Sequence, residues 1–183
     1  RWVMVIFAAV SLTSGLLWVV VSSQNPLPND PDLIGDQGEG LWRDPTVRRI
    51  LVLAFAIFFV GHALNGWMPE MLRAGPWSSR GAAWLTAGGV TIGVIGSLII
   101  PGRVSAYKRP QFLIMMFVAM GVSVWALSAS SQTLHVLAIA VIGTVRVCSV
   151  PMAMLLLMSS RSVPDARMGA AGGLFFTAGE LGG

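Results

Sequence analysis

Arg146 is the strongest candidate for a functional residue in this sequence, because it is a charged residue within an apolar stretch. It lies twelve positions after Leu134, inside the apolar stretch 134–157. In a helix this spacing places its charge about 18 Å along the stretch, since each residue rises about 1.5 Å. A charge that deep in an apolar medium costs at least about 2.5–3.5 kcal/mol, so it needs a polar partner. We expect that partner to be a bound anion or carboxylate, which suits the planar fork of arginine donors. The alternative is a buried ion pair with an acid such as Glu180.

His62 and Asn65 form a second polar group, in the apolar stretch 50–72. Residues three apart lie on one face of a helix, and the nearby Pro69 frees a backbone carbonyl that water in a cavity can satisfy. This pattern is typical of a helix that lines a polar cavity, although hydrogen bonding between helices would use the same residues. We predict that Arg146, His62 and Asn65 bind a small-molecule solute.

Motifs for other chemistry are absent from the sequence. It contains no G-x-x-x-x-G-K-[ST] loop, no H-E-x-x-H and no G-x-S-x-G. Cys148 is the sole cysteine, so neither a disulfide within the chain nor a zinc-binding cysteine pair can form. We therefore predict no enzyme, no catalytic residues, no metal and no cofactor. The net charge is +4, but the basic residues stand singly or in pairs between apolar stretches, so we expect no nucleic acid as a partner.

The elements that must position these residues are long apolar stretches. Hydrophobic residues make up 55% of the 183 positions and charged residues 11%, whereas a soluble domain carries about 25% charged residues. About 20 apolar residues span a lipid bilayer. We predict spanning helices over residues 1–22, 50–72, 81–100, 111–128, 134–157 and 168–183. The predicted fold class is all-α, a polytopic transmembrane helical bundle.

The two ends of the sequence affect how its first and last apolar stretches are interpreted. The sequence begins without Met and stops inside an apolar stretch, so we expect neither end to be a natural terminus. The stretch 1–22 could instead be a signal peptide with a cleavage site at Ser22–Ser23, although its apolar part is long for that.

Residues 23–49 form the one long connection. They hold Pro26, Pro28, Pro31 and five of the eight acidic residues. This composition cannot bury apolar area, so we predict a solvated linker between the helix 1–22 and a bundle formed by 50–183. The side of the membrane with the linker carries eight Lys and Arg residues, against three on the other side. The positive-inside rule therefore predicts a cytoplasmic linker in a multi-pass protein of the plasma membrane.

Glycines four residues apart predict close helix packing at two places. Gly89 and Gly93 lie in the third stretch, and Gly169 and Gly173 in the last. Small residues let helices approach where no hydrophobic force drives them together.

Four local sequences resemble the major facilitator superfamily of secondary transporters. Residues 65–70 resemble the end of the family's seventh helix in cyanate-porter-like and related members. Residues 101–109 resemble its short basic loop between the second and third helices of each half, with Ser105-Ala106 in place of an Asp-Arg pair. Residues 143–151 resemble its tenth helix, and residues 169–180 its Gly-rich eleventh. The resemblance implies that the chain covers roughly the sixth to eleventh helices, a half of the fold plus one helix, with the linker as the central loop.

The resemblance also implies a function: secondary active transport of a small solute across a lipid bilayer by alternating access. Arg146 favours an anion or a carboxylate. One alternative is a multidrug-type exporter of the same fold, which would have an apolar cavity and an internally paired Arg146. Another is a non-transporting membrane scaffold or an intramembrane enzyme. His62 lies near the middle of its stretch and His135 near one end of its own, which argues against a catalytic pair. A coupling proton or ion stays open as a partner. Glu70 is a weak candidate for it, because a rim salt bridge with Arg73 is its simpler role.

Overall fold

The computed structural model describes residues 40–183 together with Leu12, Thr13, Leu16 and Val20. The chain divides into two compact units, residues 1–36 and 37–183. The four described residues of the first unit are helical, and the rest of the predicted helix 1–22 lies outside the described residues, as does the predicted linker up to residue 39. The second unit contains every residue for which chemistry is predicted.

Within residues 40–183, the second unit consists of five α-helices and three short 3-10 helices, with no strand. The α-helices are α1 (Pro45–Arg73), α2 (Ser79–Arg103), α3 (Arg109–Ala126), α4 (Gln132–Met158) and α5 (Met168–Glu180), and the 3-10 helices are Leu41–Arg43, Ala106–Lys108 and Asp165–Arg167. Among the described residues, four segments are long and apolar enough to cross a membrane: Pro45–Arg73, Ser79–Arg103, Ala106–Ala126 and Gln132–Met158. The predicted all-α class, a bundle of transmembrane helices, is confirmed.

A polar cap determines where α1 begins. The Oδ1 atom of Asp44 accepts hydrogen bonds from the backbone N–H of Thr46 (2.7 Å) and Val47 (3.1 Å), and Pro45 occupies the first helical position. The hydrogen bond from Val47 is the main cause that lowers the pKa of Asp44 below its ordinary value. Serine side chains cap α2 and α4 in the same way. Because of its cap, α1 begins before the apolar stretch that starts at residue 50.

Helix α4 is the centre of this bundle, since it contacts each of the other four α-helices. Half of its apolar window is buried, a larger share than in the other three candidate spans. Arg146 lies on this helix, so its side chain is within reach of several neighbours.

Helices α2 and α4 approach each other closely at glycines. A Cβ added to Gly89 would lie 2.6 Å from the Cγ2 atom and 3.0 Å from the carbonyl oxygen of Ile139. A Cβ added to Gly93 would meet the carbonyl of Gly143, and one added to Gly143 would meet the carbonyl of Gly89. Gly89 and Gly93 are buried. The predicted packing role of this pair is confirmed.

The second predicted glycine pair is wrong. A Cβ added to Gly169 or Gly173 would have no atom of the described residues within 4 Å, and both residues lie on the exposed face of α5. The close contact of α5 is made by Gly179, where an added Cβ would lie 2.7 Å from the Cδ2 atom of Phe58 on α1. Spacing alone does not show which face of a helix meets its neighbour. In α5, the face with Gly179 meets α1, and the face with Gly169 and Gly173 does not.

Candidate functional site

The three residues with predicted chemistry line one cavity. This cavity has a volume of about 260 Å³ and lies mainly between α1 and α4; its lining is Ile57, Phe58, Gly61, His62, Asn65, Arg146 and Val150. Arg146 also borders two smaller cavities, of about 20 Å³ between α1, α2 and α4 and of about 10 Å³ between α1, α3 and α4. Its side chain is therefore placed where four helices meet.

The partner of Arg146 in the structure is an amide. The Nη1 atom of Arg146 donates a hydrogen bond to the Oδ1 atom of Asn65, at 2.9 Å. Because an arginine only donates, the amide must turn its oxygen towards the guanidinium, and its NH2 group remains for other contacts. This one bond uses a single N–H of the five that the guanidinium carries. Asn65 thus positions Arg146 without neutralising its charge.

His62 lies one turn before Asn65, on the same cavity wall. Its Nδ1 atom is 3.1 Å from the carbonyl oxygen of Phe58. A carbonyl oxygen only accepts, so Nδ1 carries the proton in this arrangement. The Nε2 atom of the neutral ring is then an acceptor, and protonation would make it a donor. The His62 side chain is exposed, so a solute in the cavity can reach it.

Phe58 is a member of the cavity wall that sequence analysis missed. Its ring packs against those of His62, Phe175 and Phe176, with centroid distances of 6.0, 6.4 and 6.1 Å. The signal was available, since Phe58 precedes His62 by four positions and Asn65 by seven, and so lies on their helix face. With Ile57 and Val150 it gives the cavity an apolar side.

The structure does not pair Arg146 with Glu180. Glu180 is exposed, and the salt bridge found in the described residues joins Arg73 to Glu70 at 2.7 Å. The predicted rim pair is thus confirmed. Both of its side chains are about half exposed (47% and 53%), so it contributes little, about 0–1 kcal/mol.

His135 lies apart from the cavity. Its ring is bonded to Trp77 and Ala129 at one end of the bundle, so the two histidines do not form a catalytic pair. No three His, Cys, Asp or Glu side chains of the described residues come together as metal ligands would.

The fold and the site together define a class of protein. Long apolar helices hold a largely apolar cavity between α1 and α4 that contains the charged Arg146 and the polar His62 and Asn65. This arrangement describes a multi-pass membrane protein with a few polar groups at a solute-sized site. The family model described as Major Facilitator Superfamily matches residues 1–183, so the chain belongs to this superfamily of transporters. The comparison with curated proteins finds no match, and neither does the comparison with solved structures.

Proposed function

We propose that this chain is part of a secondary active transporter that moves a small organic anion by alternating access. The observation that supports it is the position of Arg146, which faces the cavity with a neutral amide as its hydrogen-bonded partner. Arg146 is only partly buried, but its charge lies inside a membrane-spanning helix without a counter-charge from the described residues, and a bound anion would supply one. Arg146, Asn65 and His62 are the proposed binding residues.

The lining of the cavity narrows the class of solute. Arg146 and Asn65 offer N–H donors, and no acidic residue is among the lining residues. These donors match a carboxylate or another oxyanion, such as a sulfonate, that can accept two parallel bonds from a guanidinium on two of its oxygens. Phe58, Ile57 and Val150 form the apolar part of the lining, which suits a solute with an apolar body. Benzoate combines both properties and serves as a probe.

A protection experiment tests this proposal. In a Cys148→Ser background, the change Gly61→Cys places a thiol in the cavity wall, where an added Cβ has only the Cγ atom of Arg146 near it, at 3.9 Å. We expect benzoate to slow the reaction of this thiol with a maleimide in the natural full-length protein. Benzamide, which has the same shape but no charge, should protect at least about tenfold less well. Equal protection by both compounds, or by neither, would contradict anion recognition at this site.

A multidrug-type exporter is the second candidate, and one observation favours it. The cavity wall is largely apolar, and Phe58 continues into the aromatic pair Phe175 and Phe176. This reading predicts that neutral aromatic compounds protect as well as benzoate does. An intramembrane enzyme is not favoured, because His62 has no serine, threonine or cysteine beside it in the cavity lining.

We also propose the position and orientation of the chain in the family's fold. The helix 1–22 would be the sixth, the linker the central cytoplasmic loop, and α1 to α5 the seventh to eleventh, in a plasma membrane; the likeness to cyanate-porter-like members stays a prediction. The basic residues at the linker side support this orientation.

Thiol labelling in intact cells tests the orientation. In a Cys148→Ser background, Gln37→Cys should be shielded from a membrane-impermeant reagent, because the proposal places it in the cytoplasm. Ser78→Cys, in the cap of α2, should react, since Ser78 is exposed at the opposite end of α1. Reaction of the first and shielding of the second would reverse the proposed topology.

A further inference from the structure

A buried histidine joins two loops at the end of the bundle where α1 finishes and α4 starts. His135, in the first turn of α4, is 1% exposed. Its Nδ1 atom accepts a hydrogen bond from the Nε1 atom of Trp77 at 2.9 Å, and its Nε2 atom lies 2.7 Å from the carbonyl oxygen of Ala129. Trp77 belongs to the loop between α1 and α2, and Ala129 to the loop between α3 and α4. The imidazole is therefore a bridge between them.

The two partners determine the protonation state of this ring. The indole N–H of Trp77 only donates, so the Nδ1 atom of His135 must offer a lone pair. The carbonyl of Ala129 only accepts, so Nε2 must carry the proton. Both bonds exist together only in the neutral ring with its proton on Nε2. A second proton, on Nδ1, would face the indole N–H, and the attraction would become a repulsion between two donors.

Within the described part of the chain, the surroundings of His135 provide no counter-charge for a protonated ring. The charged residues at this end are Glu70 and Arg73 in the last turn of α1 and Arg80 in the first turn of α2, and all three are exposed. Glu70 and Arg73 pair with each other, and no described salt bridge includes His135. The loop between α3 and α4 and the adjoining halves of these helices contain no charged side chain. Protonation would therefore leave a charge buried without a partner, which favours opening of the loops.

We propose that His135 is a proton-sensitive latch between these two loops. The neutral ring ties the loop at Trp77 to the loop at Ala129, and the protonated ring releases them. A cavity of about 470 Å³ already lies between the same loops, lined by Met71, Ala74, Gly75, Pro76, Leu127, Ser128, Ala129 and Ser130. It would widen when the latch opens. A second hydrogen bond between these segments in the described residues runs from the Nε2 atom of Gln132 to the carbonyl of Pro76, is long at 3.4 Å, and has no titratable group.

Thiol accessibility measured on the full chain tests the latch. Ala82, near the start of α2, and Ala54, in the other core cluster, are both 0% exposed. In a Cys148→Ser background, the maleimide reaction rates of Ala82→Cys and Ala54→Cys are compared at pH 8 and at pH 5. The ratio of the two rates cancels the effect of pH on thiol reactivity. We expect this ratio to rise about tenfold at pH 5, and a constant ratio would overturn the proposal.

Two further variants connect the effect to the ring. His135→Gln keeps an acceptor and a donor but does not titrate, so its ratio should stay low at both pH values. Trp77→Phe removes the donor that faces Nδ1, so its ratio should be high already at pH 8. A tenfold rise in His135→Gln would assign the acid effect to another group. A Trp77→Phe protein that stays closed at pH 8 and still opens at pH 5 would equally contradict the latch.

Discussion

Exchanging Arg146 for lysine is expected to lower the affinity of the natural full-length protein for benzoate by about thirtyfold, or about 2 kcal/mol. Lysine keeps the positive charge at the cavity, so the protein should fold. It loses the planar fork that holds a carboxylate with two parallel bonds and reaches Asn65 at the same time. Isothermal titration with benzoate measures the difference.

The control for this exchange is Arg73→Lys. Arg73 is also an arginine of a membrane-spanning segment, but it lies at the exposed rim in a salt bridge with Glu70. Its exchange should leave the affinity for benzoate unchanged, because it is not among the cavity's lining residues. If Arg146→Lys also bound benzoate like the wild type, Arg146 would not belong to the binding site.

The change Gly89→Ala is expected to destabilise the bundle by about 1–3 kcal/mol. The new methyl group would lie 3.0 Å from the carbonyl oxygen of Ile139, and this backbone atom of α4 cannot turn away as a side chain can. This close contact between α2 and α4 would have to open. Thermal unfolding of the purified chain, followed by loss of helical signal, measures the change.

The matched control is the preceding residue. A Cβ added to Gly88 meets no atom within 4 Å, because this residue faces away from α4. Gly88→Ala should therefore leave the stability of the bundle unchanged or raise it by about 0.5–1 kcal/mol, since alanine has less conformational freedom than glycine to lose when the unfolded chain forms the helix. If both alanine variants behaved alike, the backbone contact between α2 and α4 would not limit stability.

The helices could be predicted from the sequence because their signal is local. Some twenty apolar residues in a row predict a spanning helix whatever its neighbours are. The cavity residues Arg146, His62 and Asn65 could be proposed for a similar reason, since a polar side chain in an apolar stretch is costly and needs an explanation.

The partners of these residues could not be predicted, because they are tertiary contacts. Asn65 and Arg146 are 81 positions apart, and nothing in either stretch favours this amide over Glu180 as the partner. Phe58 was missed although it shares a helix face with His62 and Asn65, because an aromatic ring in an apolar helix carries no polar group that would mark it as part of a cavity. The bond between Trp77 and His135 spans 58 positions and joins a loop to a helix, which no periodic pattern encodes.

The central claim is that the protein moves an organic anion across a membrane and holds it with Arg146. Uptake of radiolabelled benzenesulfonate into proteoliposomes tests this claim directly, because a permanent negative charge keeps this anion from crossing the bilayer unaided. We expect saturable uptake by the natural full-length protein, inhibited by benzoate and not by benzamide. At low concentration, Arg146→Lys should reduce it at least about tenfold, and Arg73→Lys should not. Uptake no faster than in protein-free vesicles, or equal uptake by the wild type and Arg146→Lys, would contradict the claim.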